Sequence, residues 1–289
     1  MLNHDLVCFG ELLYDIYEDG GEKMGGAPFN VAAIASLKGV KATMITAVGK
    51  DERGMKICAA ARKMVNLHCQ INEHKTGTVQ VAIDEKKIPT FVIDKDKAYD
   101  YIVFDDAIMS ICSDAQFFCF GTLAQRSTVS RETLKKILNG TPAIRIYDFN
   151  YRNGIDEWQS IFRESLNHTD ILKVNEEELE LLKTLYRCQS EEAFLNGIIG
   201  KYGLKYVFVT RGDKKASLYS GKTVLHKDAL KVKAVDTTGC GDAFTAGIIY
   251  ALLNHFDDEK ILEYAVGLAA RVATIKGAVP GKRECLEGL

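Results

Sequence analysis

The sequence of 289 residues predicts an α/β fold, with a mostly parallel central sheet covered by helices on both faces and a small β-sheet lid. Short apolar runs, typical of buried parallel strands, alternate along the chain with segments of helical periodicity. Such alternation is typical of a parallel sheet with helices on both faces. One segment breaks this rhythm, because Thr78–Asp84 and Pro89–Ile93 alternate in polarity around Glu85-Lys86-Lys87. It predicts a hairpin, either a flap that closes over a ligand or an ordinary sheet edge.

The individual elements follow in chain order. Strands are predicted over Leu6–Phe9, Ala42–Val48, Ala115–Phe120, Ala143–Tyr147, Ile171–Val174 and Tyr206–Thr210. Helices are predicted over Phe29–Leu37, Glu52–Met64, Arg131–Leu138, Glu176–Leu185 and Glu191–Tyr202. Two further helical faces carry Phe244, Ile248, Ala251 and Leu252, and then Ile261, Ala265, Leu268, Val272 and Ile275. With four prolines and no low-complexity linker, residues 1–289 are expected to form a single domain. The lid is expected mainly over residues 76–104 and part of 11–24.

Composition narrows the classes of function. The 37 basic and 39 acidic residues give a net charge of −2, so nucleic acid is not the expected partner. The longest uncharged apolar stretch, Ala243–Phe256, is 14 residues long and too short to cross a membrane. Charges appear early, at Asp5, Glu11 and Asp15, which argues against a signal peptide and favours a cytoplasmic protein. The eight scattered cysteines are expected to be small buried apolar residues rather than metal ligands.

The segment Asp236–Asp242, with sequence DTTGCGD, lies directly before an apolar helix. Gly239 and Gly241 allow the backbone to turn several N–H groups toward one point, and the helix adds its positive end. This arrangement suits a phosphate. Asp242 would repel phosphate unless it takes a proton from a hydroxyl that attacks it. The alternative is that Asp242 is an ordinary capping residue at the start of the helix.

A second glycine-containing segment, Gly25–Ala32, has the sequence GGAPFNVA. The paired glycines Gly25 and Gly26 allow the backbone to approach a ligand closely. Asn30 follows one helical turn later and could hydrogen-bond a polyol through both ends of its amide. The alternative is that Asn30 is a polar residue on an exposed helix face.

Together these two segments resemble the paired signatures of the ribokinase-like (PfkB) family of carbohydrate kinases. The first segment matches at Gly26, Pro28, Asn30, Ala32, Gly39 and Gly49, and the second at Asp236, Thr237, Gly239, Gly241, Asp242, Ala246 and Gly247. Between them, Val48–Gly54 resembles the Gly-x-Asp-x-x-Gly turn of the family. The resemblance covers essentially the whole chain and implies a ribokinase-like fold.

The resemblance also implies roles for individual residues. Asp242 would be the general base, and the N–H groups of Gly239, Cys240 and Gly241 would form the anion hole for the transferred phosphoryl group. Cys240 departs from the small Ala, Ser or Gly usual there. Asn175-Glu176-Glu177-Glu178 resembles the Asn-x-x-Glu element, which implies nucleotide binding by Asn175 and a water-mediated Mg²⁺ contact by Glu178. The same two residues have the spacing of a capping box.

The turn Val209–Asp213 resembles the Thr-x-Gly turn on the nucleotide side of the family, which implies nucleotide binding by Thr210 and Gly212. Lys215 stands where the family often has another glycine. The family also implies ATP and Mg²⁺ as cofactors, a monovalent cation such as K⁺ near Asp236, and a homodimer paired through its flaps.

The resemblance to the fructokinase branch in particular rests on four segments, Gly10–Asp15, Ala98–Asp100, Gly121–Ser127 and Asp148–Arg152. Strand-end loops of open α/β sheets bind ligands, and the resemblance implies sugar contacts from Asp15, Gly25, Gly26, Asn30, Asn150 and Arg152. Fructose is therefore the first expected substrate. Asp148-Phe149-Asn150-Tyr151-Arg152 also resembles 2-keto-3-deoxygluconate kinases, where an arginine can meet a carboxylate. A non-catalytic sugar-binding protein on the same fold is the alternative from another class, although such a protein would be expected to lose the base or the anion hole.

Overall fold

A computed structural model describes residues 3–18, 20–83, 89–221 and 223–286. Its strands, in chain order, are β1 (His4–Phe9), β2 (Leu13–Tyr17), β3 (Glu22–Gly25), β4 (Ala42–Gly49), β5 (Asn66–Asn72), β6 (Gly77–Ile83), β7 (Pro89–Ile93), β8 (Ala115–Phe120), β9 (Ile144–Asp148), β10 (Ile171–Asn175), β11 (Tyr206–Arg211), β12 (Lys215–Tyr219) and β13 (Val224–Asp228). Its α-helices are α1 (Ala27–Leu37), α2 (Glu52–Ala61), α3 (Asp106–Ser113), α4 (Thr128–Gly140), α5 (Trp158–Leu166), α6 (Glu176–Leu185), α7 (Glu191–Tyr202), α8 (Cys240–Leu253) and α9 (Asp258–Ala273).

The predicted mostly parallel sheet is confirmed. It has nine strands in the order β13-β12-β11-β10-β9-β8-β1-β4-β5. All neighbours from β11 through β5 pair in parallel, whereas β12 and β13 add an antiparallel edge. Parallel strands need crossover connections, which the helices supply.

Helices cover both faces of this sheet. Along β1, Leu6 and Cys8 point into one apolar core with residues of α1, α2, α8 and α9. Val7 and Phe9 point into the opposite core with residues of α3 to α7. A strand buried on both faces reads as a continuous apolar run, which is why sequence periodicity detects these strands well.

The small sheet has four strands in the order β3-β2-β6-β7. β6 and β7 pair antiparallel, and β2 joins them in parallel to β6. Leu13 and Val79 connect this sheet to the main body through a small apolar cluster with Tyr99 and Leu123. The predicted turn Glu85-Lys86-Lys87, with Asp84 before it, lies outside the described residues.

Several elements were not predicted because their sequences are too polar or too short to show a clear period. They include β12, β13, the edge strand β5, and the helices α3 and α5, whereas β2 and most of β3 fall within the part of 11–24 that is expected to belong to the lid. In β5 a mixed run, NLHCQIN, is exposed or half-buried along most of its length. None of the described helices is both long and apolar enough to span a bilayer.

Candidate active site

A cavity of about 260 Å³ lies where loops after the large-sheet strands meet the small sheet and the first turns of α1 and α8. Six of the residues to which the resemblance gives a role at the site line it, namely Asp15, Gly26, Asn30, Arg152, Gly239 and Asp242. Its remaining lining residues are Glu11, Leu13, Ala27, Val79, Ile93, Leu123, Thr237 and Thr238. The position at the carboxyl ends of parallel strands is the usual place for ligands in open α/β sheets.

Gly26 and Gly239 shape the two helix starts that border the cavity. Gly26 has φ +110°, and a Cβ at this position would lie 2.3 Å from the Glu11 carbonyl oxygen. Gly239 has φ +80°, and a Cβ there would lie 2.6 Å from the backbone of Ala278. Both positions therefore require glycine. Because α1 and α8 begin immediately afterwards, their free N–H groups and positive dipole ends lie at the cavity.

Asp242 and Asn30 form the central polar contact. The Asn30 amide Nδ2 donates to Asp242 Oδ2 at 2.7 Å. Burial raises the pKa of Asp242 to about 7, against opposing effects from Asn30 and nearby cations. The Asn30 Oδ1 atom is buried without a hydrogen-bond partner in the described structure. An acceptor is therefore available beside the carboxylate, which suits a ligand hydroxyl.

Two further carboxylates line the same cavity. Burial raises the pKa of Glu11 to about 7 and that of Asp15 to about 6. The positive charge of Arg152 opposes this rise at Glu11, Asp15 and Asp242. Several perturbed carboxylates around one cation in one cavity are typical of a functional site.

Gly25 ends β3 and lies against Asp15, whose Oδ2 would be 2.7 Å from a Cβ placed on the glycine. Asn150 has φ +38° and lines a small recess next to the cavity. Glu11 and Leu123 line both the recess and the cavity, so Asn150 is a neighbour of the cavity rather than part of its wall.

A buried ion pair stabilises the first turn of α8. Lys173 Nζ lies 3.1 Å from Asp148 Oδ1, with side chains 6% and 7% exposed. Thr245 donates to the other Asp148 oxygen at 2.8 Å. Burial opposes the charge on Lys173, but Asp148, Glu178 and Asp242 outweigh this effect and raise its pKa.

Cys240 and Gly241 are the first two residues of α8, between Gly239 and Asp242. Burial, with the charges of Asp242 and Asp236, raises the pKa of Cys240 to about 11. The Cys240 thiol is therefore protonated near neutral pH and is a poor nucleophile.

Asp236 orders the loop that leads into α8. Its carboxylate accepts hydrogen bonds from the N–H of Thr238 at 3.0 Å and of Gly277 at 2.9 Å. Burial works against the charge of Asp236, but these hydrogen bonds outweigh it and lower the pKa.

The residues that resemble a nucleotide site lie outside this cavity. Asn175 and Glu178 form a capping box at the start of α6: Asn175 Oδ1 accepts from Glu178 N, and Glu178 Oε2 accepts from Asn175 N, both at 2.8 Å. The other Glu178 oxygen accepts from Tyr151 N at 2.8 Å. A metal could reach this carboxylate only through its remaining lone pairs, which fits contact through water better than direct ligation.

Thr210 and Gly212 lie on the neighbouring strand and in the turn after it. Thr210 in β11 is in register with Asn175 in β10, and Gly212 occupies the exposed turn to β12. The residues predicted to bind the nucleotide therefore lie together at one edge of the sheet, where the adjacent strands β10 and β11 end. Lys173, two residues before Asn175, connects this edge to α8, since its Nζ would lie 3.1 Å from a Cβ on Gly241.

Sequence reasoning missed the roles of three buried polar residues, Glu11, Lys173 and Thr245. For Lys173 a signal exists, because a lysine within the apolar run Ile171–Val174 must find a buried acidic partner. Glu11 follows the first strand directly, at the end where ligands bind, and that position is its signal. Thr245 gives no such signal, because threonine within an apolar helix is common.

Comparison with known proteins adds independent evidence. A family model described as pfkB family carbohydrate kinase matches residues 3–285. The chain is 28% identical to PH1459 of Pyrococcus horikoshii, described as an uncharacterized sugar kinase, over 98% of this chain and 94% of that protein. It is 26% identical to probable fructokinase-3 of Arabidopsis thaliana, over 98% and 90% of the respective chains. A fructokinase double mutant of Vibrio cholerae, solved with fructose, ADP and a potassium ion, has a TM-score of 0.81 at 25% identity and covers 96% of this chain and 94% of that one.

Proposed function

The chain belongs to the pfkB family of carbohydrate kinases and has its ribokinase-like fold, and from that premise we propose that it transfers the γ-phosphoryl group of ATP to a hydroxyl of fructose. Relatives named as fructokinases, at 25–27% identity, support the choice of sugar. The cavity offers Asp15, the unpaired Asn30 Oδ1 and Arg152 to a polyol.

Asp242 would be the general base. In the proposed step, the sugar oxygen bonds to the γ-phosphorus, the bond from that phosphorus to the β–γ bridging oxygen breaks, and the hydroxyl proton moves to Asp242. A base with a pKa near the working pH is best suited to such a transfer. The observation that carries the proposal is this carboxylate, with its pKa raised to about 7, in the first turn of a helix whose free N–H groups border the cavity.

The helix start supplies the other half of the chemistry. The N–H groups of Gly239, Cys240 and Gly241 and the positive end of α8 would stabilise the negative charge on the transferred phosphoryl group. The side chain of Cys240 is not needed for this, because the backbone donates. Lys173 would keep this turn in place through Asp148 and Thr245.

ATP would extend from this turn toward Asn175, Thr210 and Gly212 on the adjacent strand edge. Mg²⁺ bound to the phosphates would neutralise their charge, with Glu178 holding one of its waters. In the described part of the chain, no three His, Cys, Asp or Glu side chains are placed to hold one metal ion together, so phosphate and water would supply most of the ligands of Mg²⁺. A K⁺ ion would bind near Asp236.

The test is coupled ADP release with Mg²⁺ and ATP over fructose, ribose, mannose, glucose, 2-keto-3-deoxygluconate and adenosine. We expect fructose-dependent turnover that falls by about 10²–10⁴-fold in the Asp242→Asn variant. The matched control is Asp106→Asn, which removes an exposed carboxylate at the start of α3, outside the cavity lining and the residues assigned to the nucleotide. Full activity in Asp242→Asn would contradict the assignment of the base.

A keto-acid kinase is the second candidate. Arg152 in the cavity wall favours it, because a guanidinium binds a carboxylate well. Turnover with only 2-keto-3-deoxygluconate would keep the mechanism and change the substrate. Absence of sugar-dependent ADP release over the whole panel, in folded protein that binds fructose, would favour the non-catalytic alternative.

The proposal includes a cytoplasmic homodimer. Sedimentation equilibrium would measure the assembly, and cell fractionation the location. A monomer at working concentration would contradict the dimer without affecting the proposed chemistry.

A further inference from the structure

Two cysteines lie in contact at the edge of the large sheet. Cys58 is in the second half of α2 and Cys69 is in the edge strand β5, 11 positions later. Their sulfur atoms are 3.0 Å apart, and neither residue lines the substrate cavity. The proposed sugar kinase reaction makes no use of this pair.

The surroundings favour a thiolate on Cys58. Cys69 can donate its S–H to the Cys58 sulfur, and this hydrogen bond, with the charge of Arg62, lowers the pKa of Cys58 despite burial. The same hydrogen bond and burial raise the pKa of Cys69. Cys58 is buried, with 9% of its surface exposed, whereas Cys69 is half-buried, so a small oxidant reaches the pair from the side of Cys69. A stabilised thiolate next to a second thiol is the usual arrangement of a reactive and a resolving cysteine.

We propose that Cys58 and Cys69 are a reversible oxidation site that forms a disulfide with peroxide. The Cys58 thiolate attacks one oxygen of hydrogen peroxide, the O–O bond breaks, and Cys58 becomes a sulfenic acid while the other oxygen leaves as water after taking a proton. Cys69 sulfur then attacks the Cys58 sulfur, the S–O bond breaks, and the second oxygen leaves as water with the Cys69 proton. Two thiols are oxidised and one peroxide is reduced to two waters.

A second cysteine pair provides an internal control. Cys8 and Cys119 are register partners on β1 and β8, and they are 0% and 2% exposed. The Cys8 hydrogen bond and burial hold the pKa of Cys119 well above its usual value. If closeness of the two sulfurs were sufficient, both pairs would be oxidised. If contact with solvent and a stabilised thiolate are also needed, only Cys58 and Cys69 will react.

The bond would fasten α2 to the sheet edge. The first turn of α2 is capped by Asp51, which also accepts from the N–H and hydroxyl of Thr76, directly before β6 of the small sheet. The cross-link closes a short loop and restricts the unfolded chain, so the oxidised protein should be more stable than the reduced one.

The experiment uses the full chain with Cys188→Ser and Cys285→Ser, which remove a half-buried and an exposed thiol. Protein is treated with hydrogen peroxide, alkylated, digested with trypsin and mapped by mass spectrometry. We expect the peptides Ile57–Arg62 and Met64–Lys75 to be joined by a bond that dithiothreitol cleaves, with Cys8 and Cys119 alkylated as free thiols. The melting temperature should rise by a few degrees and return after reduction.

Single variants test the order of events. Cys69→Ser should trap Cys58 as a sulfenic acid that dimedone labels, and Cys58→Ser should leave Cys69 unmodified. Free thiols at both positions after peroxide, or a Cys8–Cys119 bond in their place, would overturn the proposal. The mapping of the chain with Cys58 and Cys69 intact decides the matter even if a single variant does not fold. Because it uses no sugar or ATP, its result is independent of the proposed kinase activity.

Discussion

Replacing Asp242 with asparagine should change stability as well as turnover, and in opposite directions. The carboxylate has its pKa raised from 3.8 to about 7 by burial. A folded-state pKa above the unfolded one means that the native protein holds this proton more tightly than the unfolded chain does. Between about pH 4 and pH 7, rising pH therefore destabilises the native state. The Asp242→Asn variant lacks this ionisation and should lose that part of the pH dependence.

The magnitude follows from linkage. Each pKa unit corresponds to about 1.4 kcal/mol, so a carboxylate raised from 3.8 to about 7 destabilises the fold by at most about 4 kcal/mol at high pH. Glu11 and Asp15 also titrate between pH 5 and pH 8, so the contribution of Asp242 is isolated by comparing the wild type with the Asp242→Asn variant. With allowance for water in the cavity, the free energy of unfolding of the wild type should fall by about 2 kcal/mol relative to the Asp242→Asn variant over that range.

Urea unfolding at several pH values between 5 and 8 would measure this difference. The single tryptophan, Trp158, packs against Phe149 and Tyr151 and provides a fluorescence signal. Other titrating groups are common to both proteins and largely cancel in the comparison. Asp106→Asn, which removes an exposed carboxylate at the start of α3, is the matched control and should parallel the wild type.

A constant difference between Asp242→Asn and wild type across this pH range would refute the assignment of a raised pKa. If the free energy of unfolding of the wild type instead fell relative to the variant as the pH was lowered, the sign would be opposite to the prediction. The charged form of Asp242 would then make a stabilising contact in the native state. If Asp242→Asn loses turnover and also shows the expected pH dependence of stability, the group that destabilises the fold and the catalytic base are the same carboxylate.

Three further predictions concern the surroundings of Asp242. Gly239→Ala, at φ +80° and against Ala278, should lower kcat/KM by more than about tenfold in the ADP-release assay, because the helix start must shift; unchanged kinetics would contradict this. Arg152→Gln should raise KM for the sugar and move the acidic limb of the pH–rate profile to higher pH, since Arg152 opposes the rise in the pKa of Asp242; an unmoved limb would count against it. Lys173→Met should destabilise the fold by about 3–5 kcal/mol in urea unfolding, because Asp148 stays buried without its partner. Adding Asp148→Asn should restore part of that loss, and a double variant no more stable than the single one would argue against the ion pair.

The parts of the fold that are predictable from the sequence are those whose buried residues form a continuous run or recur with a regular period. The central parallel strands are continuous apolar runs, and α9 shows its buried face at helical spacing through Ile261, Ala265 and Leu268. β5 and β2 are half-exposed and carry polar residues inside the strand, so their sequences lack a clear period. Pairing with a neighbouring strand, rather than local preference, makes them strands.

For the candidate site, the sequence shows which backbone positions require glycine and which side chains follow strand ends. It does not show which of them meet. The resemblance implies that Asn30 and Asp242 both act on the sugar, but it does not place them in contact, and their 2.7 Å hydrogen bond is known only from the structure. Asn175 and Glu178 do form the capping box that their spacing indicates. Their proposed role toward a nucleotide goes beyond that structural role.

The contact between Asn30 and Asp242 also has a consequence for the synthesis of the protein. Its two partners are 212 positions apart. At about 5–20 residues per second, a ribosome needs roughly 10–40 seconds to travel from one to the other. Throughout this interval α1 can pack on β1 and β4, its neighbours in the sequence, but lacks its contact with α8. The part of its apolar surface that α8 covers therefore stays open in the nascent chain, and the cavity is assembled only when almost the whole chain has emerged.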